Sequence, residues 1–103
     1  MLENVTAEHF RALVGSLGVL QLSDGSRLPI TISAIEEKPQ ARLADKQRMP
    51  FNVSLDALEP SDFVDGLCTL QIPESAQLEA LFVSRVPPLG RDPNLAYYHI
   101  SFN

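Results

Sequence analysis

The sequence has little of several things, and each shortage narrows what it can be. One cysteine, Cys68, stands among 103 residues, so no disulfide closes within the chain and a disulfide scaffold is excluded. Eight bases face 13 acids, a net charge of -5. That balance lacks the basic excess carried by most nucleic-acid-binding domains. No apolar run approaches the ~18 residues that span a bilayer. His9 and His99 are the only histidines, and without a cysteine pair they supply no zinc-ligand spacing. The five glycines stand singly, so no loop is built to cradle a phosphate. Residues Met1 to Val5 have neither the basic region nor the apolar stretch of a leader peptide. The expectation is a chain with no cofactor, no metal, no nucleic acid and no membrane span. It belongs in the cytoplasm or in a particle assembled there.

What is present fits one soluble domain, residues 1–103. Hydrophobic content is 45% and charged content 20%, ordinary for a globular protein. The chain is long enough for one real core.

The first element reads as a helix from Ala7 to Val14. Thr6 is a good N-cap, and Glu8 lies in the first turn where the helix dipole favours an anion. Val5 and Phe10 stand at the positions of a hydrophobic staple, and Gly15 suits a left-handed C-cap. Phe10, Leu13 and Val14 form the apolar face.

Period-2 patterning follows. Leu20 and Leu22 alternate with polar residues, as do Leu28, Ile30, Ile32 and Ala34. A two-residue Asp-Gly loop between these runs would oppose Leu22 with Arg27, apolar against polar. A three-residue loop, Ser23-Asp24-Gly25, opposes Leu20 with Leu28, and face matching selects it. A third strand puts Phe51, Val53 and Leu55 on one face. A fourth puts Cys68, Leu70 and Ile72 on one face. The fifth, Leu78 to Val86, is apolar on both sides. Leu78, Ala80 and Phe82 share one face, with Leu81 and Val83 on the other. Such a strand is usually covered twice. The last alternates Tyr98, Ile100 and Phe102 inward with Tyr97, His99 and Ser101 outward.

One short N-terminal helix and about six strands, with no helix between strands, predict a mainly β fold. The architecture is a small antiparallel barrel or a sandwich. Residues 37–50 form the longest polar stretch, either a loop or one loose helical turn around Ala41 to Lys46. It holds Lys38, Arg42, Lys46 and Arg48, half of the bases.

Chemistry-bearing motifs are sparse. Asp56, Glu59, Asp62 and Asp65 cluster, but their spacing and the glycine position do not match a calcium loop. Cys68 lies in an alternating apolar run and reads as a small buried hydrophobe. No nucleophile elbow accompanies either histidine. The surplus after the strand faces are assigned is Leu81, Val83 and Tyr97. With His99, and with Arg42 and Lys46 on the basic loop, these make the candidate surface for a protein partner or for self-association.

The opening Leu2-Glu3-Asn4-Val5-Thr6-Ala7-Glu8-His9-Phe10 and Leu13-Val14-Gly15 carry a resemblance. So do Gly66 before a strand, Ile72-Pro73, Leu78-Glu79-Ala80-Leu81-Phe82-Val83, Pro87-Pro88 and the closing Tyr98-x-Ile100-x-Phe102-Asn103. Together they resemble an uncharacterised family of bacterial proteins about 100 residues long. That family has no established catalytic residues, so none is carried over. The resemblance brings with it an association: such proteins are often encoded near proteins with phage-tail collar domains. The resemblance therefore implies a tail-like or particle-associated role.

The leading expectation is a non-enzymatic structural or interaction module. One alternative is a barrel that binds a small ligand at its mouth, near Tyr97 and residues 37–50. Side chains of Phe51, Phe82, Ile32 and Ile100 filling the interior would count against it. The other is a hydrolase using His9 or His99.

Overall fold

The computed structural model describes residues 6–38, 50–73 and 77–102. A short helix α1 (Ala7–Arg11) precedes six strands: β1 (Leu17–Gln21), β2 (Arg27–Glu37), β3 (Phe51–Ala57), β4 (Asp65–Gln71), β5 (Leu78–Val86) and β6 (Tyr97–Phe102). They close into a barrel in the order β1-β2-β3-β6-β5-β4, with every neighbouring pair antiparallel. Two three-stranded meanders, β1-β2-β3 and β4-β5-β6, thus meet along two seams, β1·β4 and β3·β6. With β4 returning beside β1, the first four strands form a Greek key.

Alternation explains most of the core. Leu28, Ile30 and Ile32 from β2 point inward with Phe51, Val53 and Leu55 from β3. Cys68 and Leu70 from β4 and Tyr98, Ile100 and Phe102 from β6 complete the interior. The β1–β2 hairpin has the expected register. Leu20 opposes Leu28 and Gln21 opposes Arg27. Leu22 N–H donates to Ser26 O over 2.8 Å and Gly25 N–H to Leu22 O over 3.0 Å, leaving Ser23-Asp24-Gly25 as the loop. Gly25 has φ +90°, a conformation costly for residues with a Cβ.

Two β-bulges shift faces that strict alternation predicts. In β2 the register shifts between Ile32 and Ala34. Ala34 is therefore exposed and Ile35 packs on the core, the reverse of the expected Ala34 orientation. In β5 two residues, Glu79 and Ala80, face the single Thr69 of β4. Ala80 has φ +57°. Past that bulge Leu81 and Val83 point inward and Phe82 outward.

The helix is shorter than the Ala7–Val14 expected. It leaves its axis after Arg11 because the next segment is already paired with β2. Gly15 N–H donates to Ile32 O over 2.7 Å, and Ile32 N–H to Ser16 O over 3.1 Å. Ala12, in right-handed conformation, caps the helix, while Gly15 at φ +91° makes the turn into β1. Val5 of the staple lies outside the described residues. At the start of the helix Thr6 N–H donates to His9 Nδ1 over 3.0 Å. The helix seats Phe10 on one barrel mouth, where it touches the rings of Phe51 and Phe102 at centroid distances of 6.1 and 5.6 Å. Arg11 pairs with Glu8 and Glu37 above it.

The opposite mouth carries the β1–β2, β3–β4 and β5–β6 connections. There the Tyr98 hydroxyl donates to Phe63 O over 2.8 Å, with the two rings 5.6 Å apart. No helix among the described residues is long and apolar enough to cross a membrane.

Candidate functional site

The structure relocates the surface that the sequence nominates. Leu81 is 2% exposed and Val83 0%, so both belong to the barrel core. This corrects their expected place on a partner surface, and the Ala80 bulge is the cause. Tyr97 does lie on the outward side of β6, yet it is only 4% exposed. Arg91 covers its ring at 3.8 Å, a cation–π contact. The same guanidinium reaches Asp56 at 3.1 Å and Pro88 O at 2.8 Å. The Tyr97 hydroxyl donates to Asp92 O over 3.2 Å. Tyr97 thus anchors the β5–β6 connection. Arg42 and Lys46 lie outside the described residues, as does any helical turn in residues 39–49.

His99 is partly exposed on the outer wall, between Ser54 of β3 and Ser84 of β5 in the cross-strand register. No hydrogen bond joins His99 to either serine among the described residues. The three polar side chains form a row across the outer wall. His9 is engaged at the helix start. Among the described residues no three His, Cys, Asp or Glu side chains gather as a cation site.

The mouth near Tyr97 is occupied by side chains, and the interior holds Phe51, Ile32 and Ile100 with almost no exposure. Phe82, expected among them, is outside. The Cys68 thiol is buried, and burial pushes it up to about 11. It is a packing residue with no thiolate character at neutral pH.

What the structure brings to the surface instead is a pair on the β4–β5 wall. Leu67 and Phe82 stand directly opposite each other across the ladder, 58% and 57% exposed. Beside Leu67 runs an open groove of about 360 Å³, bordered by Gln21, Leu22, Ser23, Thr69, Gln77, Glu79 and Ala80. One wall is stiffened by a side-chain chain. Gln71 Nε2 donates to Gln77 Oε1, and Gln77 Nε2 to Glu79 Oε1, each over 3.2 Å. The β5 bulge shapes this groove and also turns Phe82 outward. Leu67 was legible in the sequence, since Cys68, Leu70 and Ile72 inward require Leu67 outward. Phe82 was not, because a single inserted residue reverses its face.

A family model described as "Domain of unknown function (DUF6916)" matches residues 5–102. No curated protein and no solved structure matches the chain.

Proposed function

The chain belongs to this family of unknown function, and on that footing we propose that it is a non-enzymatic structural or protein-interaction module. The exposed Leu67–Phe82 pair carries the reading. Two large apolar side chains held side by side on a rigid wall are costly to leave in water and suit burial by another protein. The barrel interior is already filled by its own side chains, which favours use of the outer surface. The resemblance to proteins encoded beside phage-tail-collar-like proteins suggests the setting, a tail-like particle assembled in the cytoplasm. The partner is then a neighbouring protein of that particle or a second copy of this chain.

The test is light scattering over a wide concentration range, paired with cross-linking to proteins of the native particle. The expected result is a concentration-dependent mass or one defined cross-linked partner, lost in a Leu67→Ser, Phe82→Ser double variant. A constant monomeric mass with no partner, identical in the double variant, would overturn the reading.

A further inference from the structure

β1 is shorter than the strand it closes against. Only three residue pairs join them, Val19 with Gln71, Leu20 with Leu70 and Gln21 with Thr69. The chain then leaves in the hairpin loop, while β4 begins upstream at Asp65. The hydrogen-bonding phase of β4 is fixed from its other side. Arg85 N–H donates to Val64 O over 2.8 Å, and Asp65 opposes Ser84. Val64, Gly66 and Cys68 therefore turn their backbone groups toward β5. Asp65 and Leu67 turn theirs the other way, to where β1 has ended. Among the described residues neither of them makes a backbone or side-chain hydrogen bond on that side.

Two N–H and two C=O groups thus form a short unpaired edge in an otherwise closed barrel. The groove runs along it, between Leu22–Ser23 and Leu67–Thr69. Exposed apolar side chains of Val64, Leu67 and Phe82 accompany it. The surrounding charge is mostly negative, with Asp24 on the hairpin loop, Asp62 and Asp65 at the edge and Glu79 on the groove wall. Among the described residues the nearby bases are Arg27 and Arg85, and Arg85 already donates to Ser61 O over 2.9 Å.

We propose that this edge of β4 receives an extended segment of a partner protein by strand addition, a segment whose outward face, its alternate residues, carries both apolar side chains and lysine or arginine. Main-chain bonds to Asp65 and Leu67 would seat it. Apolar side chains would pack beside Leu67, and the bases would meet the carboxylates. The proposal rests on the interaction-module reading and names its surface and partner class.

The test uses the full chain, labelled with nitrogen-15, and an acetylated, amidated heptapeptide, Lys-Thr-Val-Thr-Val-Thr-Lys, which presents lysine and valine on one face. The expected binding is weak, about 1 mM or tighter. Amide exchange at Asp65 and Leu67 slows by about tenfold at saturation, and the effect weakens with salt. The peptide N-methylated throughout, and its counterpart with glutamate in place of both lysines, leave those amides unchanged. Leu67→Pro removes a donor that serves no ladder bond. It abolishes the response while the rest of the spectrum persists. If that variant does not fold, the N-methylated peptide still decides. Unchanged Asp65 and Leu67 amides at millimolar peptide, or equal binding of the glutamate peptide, would overturn the proposal. Protection of these amides that rises with protein concentration alone would assign the edge to a second copy and overturn the partner-segment form. A complex in which Leu67 stays unprotected would overturn strand addition and leave the module reading standing.

Discussion

Phe51 and Phe102 face each other across β3 and β6 with their rings stacked, 4.7 Å between centroids and 11° between planes. Phe10 lies tilted against both. The five-residue helix that delivers it is too short to persist alone. Its place is secured by this ring and by the backbone bonds of Gly15 and Ser16 to Ile32.

Phe10→Ala is therefore expected to cost about 3 kcal/mol of stability, because it removes a fully buried ring and leaves a cavity behind. Urea unfolding gives the number. The amides of Ala7 to Arg11 should exchange faster in the variant, while those of β3 keep their order of protection.

Ala80 sits at φ +57° in the β5 bulge, where a Cβ is unfavourable. Ala80→Gly should raise stability by about 1 kcal/mol, the relief of left-handed strain less the entropy glycine adds to the unfolded chain. A rise in the urea midpoint with an unchanged slope is the expected signature.

Most of the strand framework was legible in the sequence, and the reason is physical. Leu20 opposite Leu28 follows from a requirement that apolar faces coincide. Phe51, Val53 and Leu55 obey the same rule with nothing to disturb it. The failures lie where one residue changes phase. The bulge near Ser33 puts Ala34 out and Ile35 in. The bulge at Glu79–Ala80 exchanges the roles of Phe82 and Leu81, so the nominated surface moved across the strand. Alternation puts Tyr97 on the outward face, but nothing in the sequence signals that Arg91 folds over its ring. The edge at Asp65 and Leu67 depends on strand lengths and on which meander meets which, and local pattern carries neither.

The Cys68 thiol is held above its ordinary value, at about 11, by burial. A raised folded value means stability that is complete below the unfolded thiol value, 9.0, and is lost as pH climbs from there through about 11. Cys68→Ala should flatten the alkaline decline in stability. A thiol reagent at pH 7 should label the wild type only at the rate of unfolding.

Asp24 accepts from Ser26 N–H over 2.8 Å and from the Ser26 hydroxyl over 2.5 Å, which holds its carboxyl below the usual aspartate range. A lowered folded value means support present above that range and lost as pH falls below it. Asp24→Ala should therefore speed exchange at Leu22 and Gly25 at neutral pH. Acidification should reproduce that loosening in the wild type and add nothing further in the variant.

Tyr98→Phe removes the bond to Phe63 O and should cost about 1 kcal/mol. The loss should be visible as faster exchange of the amides flanking Phe63.

The three-pair β1·β4 seam also bears on how the molecule assembles. Val19 and Gln71 lie about fifty positions apart in the chain, so their meeting demands the closure of a long loop for a small return in contacts. Each meander can form from neighbouring hairpins at lower entropic cost. The order this imposes is two half-barrels first, and ring closure between β1 and β4 as the slow, final event. The same seam should be the first to part under native fluctuations.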